Sequence, residues 1–245
     1  SGADLSGAFL SYTRLSKANL SGAILKNADL SHVNLSDADL ENADLSDANL
    51  SDVNLRRTNL SGALLGNAKL FNADLPGANL PGANLKNANL SDVNLSGANL
   101  KNAGLHNAEL SGANLKNADL SGASMSYASF RHANLSDVNL SGANLKNADL
   151  SYARLSKTNL SDANLSGANC SNAIITHASL RRTNLSDANL THVDMHNSDL
   201  TDAVLSGATL DGLILSNANL SGTDIFLANV DTTDTIPSAP ISFSI

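Results

Sequence analysis

Every fifth residue from Leu5 to Val230 is a large apolar one, so the chain reads as 46 consecutive pentapeptides with no insertion and no slip. Leu closes 39 of them; the others close on Met125, Phe130, Cys170, Ile175, Met195, Ile225 and Val230. Two residues earlier stands Ala in 34 of the 46, usually with Asn or Asp between, as in Ala18-Asn19-Leu20, and Ser is the commonest first residue. A helix cannot use this period. Five residues advance an α-helix by ~500°, so successive leucines drift by ~140° and scatter around the cylinder. The abundance of Ser, Asn, Gly and Asp disfavours helix as well. In an extended segment residues two apart share a face, which turns Ala and Leu inward and the residue between them to water. The two remaining residues must turn the chain. The second position holds 14 of the 16 glycines, 12 Asn and 8 Asp, residues that tolerate positive φ, and Pro76-Gly77 and Pro81-Gly82 are turn dipeptides. Each unit is a short extended piece followed by a corner, which predicts an all-β, single-domain β-solenoid.

Charged residues at the second position set the size of the coil. In stacked coils, residues one coil apart lie about 4.8 Å from each other, where opposite charges help and like charges hurt. At a separation of four pentapeptides (i to i+20) the pairs Lys17–Asp37, Asp37–Arg57, Asp137–Lys157, Asp162–Arg182 and Arg182–Asp202 are all opposite in sign. Three pentapeptides apart, the pairs Asp37/Asp52 and Asp187/Asp202 are like-charged, as are Asp137/Asp162, Lys157/Arg182 and Asp162/Asp187 at five. The charges therefore select four pentapeptides per coil, arranged around a square. The 46 units then make about 11 coils, a rod roughly 55 Å long at the spacing of parallel strands.

Uninterrupted Ala-Asn/Asp-Leu-x-x, as in Ala98-Asn99-Leu100-Lys101-Asn102, resembles the pentapeptide-repeat protein family over residues 1–230. The resemblance implies a right-handed quadrilateral parallel β-helix lined by the Leu and Ala positions; the handedness comes from the family alone.

Ten of the inward Ala positions hold Thr or Val instead: 13, 33, 53, 58, 93, 138, 158, 183, 193 and 223. In nine of these the preceding residue is neither Gly nor Asn, whereas 23 of the 34 alanines follow one of those two. This predicts two turn types, one with positive φ beside Ala and another with room for a β-branched side chain. Eight of the ten fall on two adjacent sides of the square.

Terminal coils expose strand edges and apolar interior, so caps are expected. The chain begins directly in a repeat, at Ser1 rather than Met, which is compatible with a removed upstream segment or with an edge that pairs with something. After Val230 the register dissolves, and Ile236-Pro237 and Ala239-Pro240 precede an alternating run, Ile241 to Ile245. The expected division is a repeat β-helix at 1–230 and a C-terminal tail or cap at 231–245. That tail is read as disordered, as a cap across the last coil, or as a strand shared between two copies.

Composition removes several classes of function. Aromatic residues make up 3 % of the chain and Trp is absent, too little to fill an ordinary mixed core. A single cysteine excludes a disulfide framework, and no apolar run approaches the ~18 residues of a membrane span. A net charge of −8 without a basic block makes direct binding to nucleic-acid phosphates a poor reading.

The residues that invite chemistry have plainer readings. His32, His132 and His192 share a side but lie five and three coils apart. His177 and His196 belong to adjacent coils with Asp199 nearby, yet two imidazoles without a third spaced ligand are a weak metal signal. Cys170 replaces an inward Leu and reads as a small buried hydrophobe. Arg56-Arg57 and Arg181-Arg182 suggest an anion site, but Arg57 and Arg182 already belong to the charge ladders. Tyr12, Tyr127, Tyr152 and Phe71 face outward and are scattered, which makes no platform for stacking bases. Glycines occur singly at corners and form no phosphate-cradling loop, and sparse outward Thr argues against an ice-binding face. No catalytic residue, cofactor or metal site is assigned, because unbroken units offer no inserted loop around a pocket.

The preferred function is a non-enzymatic structural or protein-interaction rod with an unidentified protein partner, monomeric or dimerised end to end through its C-terminal region; of compartments the cytoplasm is favoured. As an alternative, the family resemblance implies duplex-DNA mimicry and binding to a type II topoisomerase such as gyrase, with protection or inhibition. Against that reading, the chain has one inward Phe, Phe130, and no projecting loop, and its four sides carry 5, 6, 5 and 5 acids. A further alternative is a spacer or stalk for a missing domain. Residues 90–103 recur at 135–148, as tandem duplication or a consensus-derived sequence would produce. The charge is uneven along the length: residues 1–182 hold 15 acids and 15 bases, and after Arg182 come eight acids and no base.

Overall fold

The computed structural model describes residues 1–229, and the expected tail or cap at 231–245 lies outside them. The chain is a stack of coils joined by parallel β-bridges, and each bridge links a fourth-position residue to its equivalent four units on, from Asp4↔Ile24 to Thr209↔Asn229. This step is the separation at which the charged pairs are all opposite in sign. The second residue of every unit from Gly2 to Gly222 has a positive φ, which places four corners in each coil.

The sequence of the unit follows from where its five backbone amides go, since a buried amide without a partner is costly. The fourth N–H donates to the coil before (Ile24 N to Ala3 O, 2.9 Å), and the fifth to the coil after (Leu5 N to Ile24 O, 2.7 Å). The second also donates to the coil after (Gly7 N to Lys26 O, 2.8 Å), and the third closes the corner (Ala8 N to Leu5 O, 3.0 Å). That leaves the first-position N–H. It donates to the side chain of the Asn or Asp two residues earlier, as in Ser36 N to Asn34 Oδ1 (3.0 Å) and Ser46 N to Asp44 Oδ1 (3.0 Å). The Asn or Asp of the repeat thus does more than face water: it caps the next corner as an Asx turn. Pro76 and Pro81 occupy the one position whose amide the backbone ladder does not use.

Inside, Ala and Leu from Ala23 to Ala208 form one continuous core, with Phe130, Met125, Met195 and Cys170 in Leu places. Parallel stacking puts each Leu above the Leu of the coil below, so the interior is a set of like-on-like columns rather than a mixed core, which explains why so few aromatics suffice.

The expected split into two turn types is incorrect. Arg57 (φ 53°), His32 (55°) and Lys157 (59°), which precede Thr or Val, share the left-handed corner conformation of Gly97 (64°), which precedes Ala. One corner serves both groups because the inward pocket adapts instead. Val33 and Val53 are buried without a change of turn. The hydroxyls of Thr58, Thr158 and Thr183 each donate 2.8 Å to a carbonyl of the coil below, those of Leu35, Leu135 and Leu160. Nothing in the corner geometry explains why eight of the ten positions cluster on two sides. The regular corners end at Ile225–Leu227, a short 3-10 turn, where the Asp224 side chain replaces its own carbonyl as acceptor for the Leu205 amide.

Candidate interaction surface

Outward side chains stack at the same four-unit step as the backbone, so each side carries columns of side chains one coil apart. Fourth-position amides make rungs between coils: Asn59 to Asp39 (3.0 Å), Asn79 to Asn59 (3.3 Å) and Asn99 to Asn79 (2.9 Å) in one column. Asn94 to Asp74 (2.9 Å) and Asn114 to Asn94 (3.3 Å) continue the pattern on an adjacent side. Many of these oxygens also accept the corner amide, which fixes the side chain at both ends. In another fourth-position column Ile24, Leu64 and Val204, 42 %, 43 % and 40 % exposed, are separated by polar or small residues, Asp44 between the first two and Asn84, Gly104, Ser124, Asn144, Asn164 and Asn184 between the last two.

Charges close between coils in two ways. Arg57 grips Asp37 with two nitrogens at 2.8 and 2.9 Å, and Arg182 grips Asp162 at 2.7 Å through both. These contacts hold the Asp37 and Asp162 carboxyls below their ordinary range and raise both guanidinium groups. Lys17 and Asp202 sit in the fields of Asp37 and Arg182 without direct contact, and among the described residues Asp137 and Lys157 form no ion pair. The second arrangement was not anticipated. A first-position cation reaches across the corner to an acid just short of one full coil further on, in Arg56–Asp74 (2.9 Å), Lys101–Asp119 (3.2 Å), Arg131–Asp149 (3.2 Å) and Arg181–Asp199 (2.9 Å). Partial burial pushes Asp149 and Asp199 up, but hydrogen bonds from Ser151 and Thr201 together with the arginines outweigh it, and both end below the usual carboxylate range. The arginine pairs are thus engaged with carboxylates, the plainer of their two readings.

Each of the three outward tyrosines meets a histidine ring, while the tyrosines and Phe71 stay apart from one another. Tyr12 stacks on His32 with ring centres 4.7 Å apart, His132 on Tyr152 at 5.0 Å, and His106 meets Tyr127 edge-on at 5.6 Å. His177 and His196 do come together, with ring centres 5.2 Å apart. The acid beside them is Asp194, whose Oδ1 lies 2.8 Å from His196 Nδ1; Asp199 is held instead by Arg181 and Thr201. Spacing along one side pointed to Asp199, whereas the contact follows the shorter path around a corner from Asp194. Cys170 is fully buried, and burial pushes its thiol up to about 12, which suits a core residue. Among the described residues no group of three or more His, Cys, Asp or Glu gathers as a metal site, and no helix is long and apolar enough to cross a membrane.

The family profile described as Pentapeptide repeats matches in overlapping stretches from residues 1–37 through 188–225. Among solved structures, HetL is a pentapeptide repeat protein involved in heterocyst differentiation regulation from the cyanobacterium Nostoc sp. strain PCC 7120. It is 34 % identical over 88 % of this chain and 91 % of its own, with a TM-score of 0.36. Rfr23 from the cyanobacterium Cyanothece 51142 is 33 % identical over 42 % of this chain and 64 % of its own (TM-score 0.21). QnrB1, a plasmid-mediated fluoroquinolone resistance protein, is 22 % identical over 74 % of this chain and 87 % of its own (TM-score 0.38). No curated protein matches.

Proposed function

The chain belongs to the pentapeptide-repeat family, and from that premise we propose that it is a non-enzymatic rod that presents a fixed outer surface to a protein partner. The observation that carries this reading is the anchoring of outward side chains. Fourth-position Asn and Asp are held by the next corner amide and by the amide of the adjacent coil, as at Asn59, which accepts from Ser61 N (3.2 Å) and donates to Asp39 (3.0 Å). A partner meeting such a surface orders little on binding, and pre-organisation of this kind favours association. The fold belonging to this reading is a right-handed quadrilateral β-helix of about 11 coils over residues 1–230. The four-unit step supports the quadrilateral form, and the family resemblance supports the hand. The protein is a monomer or an end-to-end dimer.

Mimicry of duplex DNA toward gyrase is the competing reading. It requires an acidic face along the rod, whereas the acids are shared evenly among the sides and most arginines are already engaged by carboxylates. A gyrase supercoiling assay, with and without a quinolone, separates the two. The rod reading expects neither inhibition nor protection at micromolar protein; either effect would replace it with the mimic.

A further inference from the structure

We propose that His177 and His196 form a two-imidazole site for a divalent late transition metal, copper(II) above all, which clasps two successive coils. The histidines stand on neighbouring coils that the backbone ties together at this point, His177 N donating 3.1 Å to His196 O. Their rings stand 5.2 Å centre to centre and 79° apart. A metal about 2 Å from one nitrogen of each ring lies about 3.2 Å from each ring centre, and two such arms separate the centres by about 4.5 Å at the right angle that copper(II) prefers and by about 5.2 Å at a tetrahedral angle. The rings are therefore near enough for one ion to reach both after a small closing movement, and the near-perpendicular planes, which are also those of an ordinary edge-to-face contact, are compatible with rotation about each metal–nitrogen bond.

The surroundings orient both lone pairs. Asp194 Oδ1 lies 2.8 Å from His196 Nδ1, so that nitrogen carries the proton and Nε2 keeps its lone pair, the carboxylate–histidine arrangement that supports metal ligands. Asn197, the neighbour of His196, places its Nδ2 3.2 Å from His177 Nε2. With Asn197 as donor, the His177 lone pair points toward the coil that bears His196, and a metal would displace that amide. The remaining coordination positions fall to water. His32, His106 and His132 have rings packed against tyrosines, so among the described residues this is the place where two imidazoles meet. Imidazole ligation and the order of divalent affinities both favour copper(II).

Copper(II) titrated into the full chain, followed by electron paramagnetic resonance, tests the site. The expected spectrum shows splitting from two nitrogens, and thermal melting should rise as copper is added. His177→Gln and His196→Gln should each weaken binding at least about tenfold and abolish the rise, and Asp194→Asn should weaken it about tenfold while keeping two nitrogens. His192→Gln should change nothing. A single-nitrogen spectrum of the unaltered protein overturns the proposal irrespective of how any variant folds, as does unchanged affinity in either glutamine variant.

Discussion

Two pentapeptides that differ only at the outward fourth position have different fates in this molecule. Ser96-Gly97-Ala98-Asn99-Leu100 lies among coils on both sides, and Leu100 is 0 % exposed. Ser6-Gly7-Ala8-Phe9-Leu10 belongs to the first described coil, where Leu5, Leu10, Leu15 and Leu20 are only partly buried. At the other flank Leu210 and Leu220 are again partly buried, although their units keep the Ala and Leu positions. Burial is therefore a property of the stack and not of the unit, as expected when each repeat contacts only its neighbours. The corner, by contrast, is the same in both places: φ is +64° at Gly7 and at Gly97. Local sequence makes the turn, and the adjacent coil makes the core.

The sharpest way to break this comparison is a paired truncation. Leu100→Ala should destabilise by about 2–5 kcal/mol, the range for a fully buried Leu, and Leu10→Ala by less than half as much. Equal shifts of the guanidinium midpoint would show that the flank is as well packed as the middle. Corner glycines give a smaller contrast. Gly7→Ala and Gly112→Ala both force Ala to a positive φ, worth about 1–2 kcal/mol. A Cβ at Gly7 meets nothing within 4 Å, whereas at Gly112 it falls on Asp92 Oδ1 of the coil below. Gly112→Ala should therefore melt lower than Gly7→Ala, and Asp92→Gly in the same chain should remove most of the difference.

The smallest effect is in acid. Asp149 is partly buried and held below the usual range by Ser151 and Arg131, while Asp4, in the first coil, is held by Ser6 alone. A folded pKa below the unfolded value, about 3.9 for Asp, means the folded chain binds fewer protons. The associated stability is full above the unfolded pKa and is lost as pH falls through the folded one. The melting temperature should change little between pH 7 and 5 and drop below about pH 4. Asp149→Asn should flatten that drop more than Asp4→Asn; the reverse order would place the electrostatic weight at the flank.

Much of the architecture was legible because a period of five admits few solutions. The inward Ala and Leu followed from alternation, and the charges at Asp37, Arg57, Asp162 and Arg182 marked the distance between neighbours in successive coils. What stayed hidden lies across corners. The Arg56–Asp74 and Arg181–Asp199 pairs fall just short of a full coil, because a long side chain leaning around a corner shortens the step, and counting by sides misses it. The same geometry brought Asp194 rather than Asp199 to His196. The expected second turn type failed for a different reason: a correlation between neighbouring residues was read as a backbone difference, whereas the inward space around Thr58 and Val53 absorbs the change. The Asx turns had a visible signal, Asn or Asp two residues before Ser throughout the chain, whose meaning emerges once the first-position amide is traced.

A five-residue unit and a coil of four units also govern how such a chain grows. Adding any whole number of units keeps the interior in phase, but only multiples of four return a side chain to its former compass point. Residues 90–103 and 135–148 carry the same stretch nine units apart, so the second copy faces one side around from the first. Arg56-Arg57 and Arg181-Arg182 stand twenty-five units apart, again one more than a multiple of four. Both nevertheless find matching acids, at Asp37 and Asp74 in one case and at Asp162 and Asp199 in the other. The contacts travel with the stretch while its bearing changes. Copies inserted out of step with the coil wind their decoration around the rod like the stripe on a barber's pole, so that growth by repetition lengthens the molecule without printing one pattern down a single face.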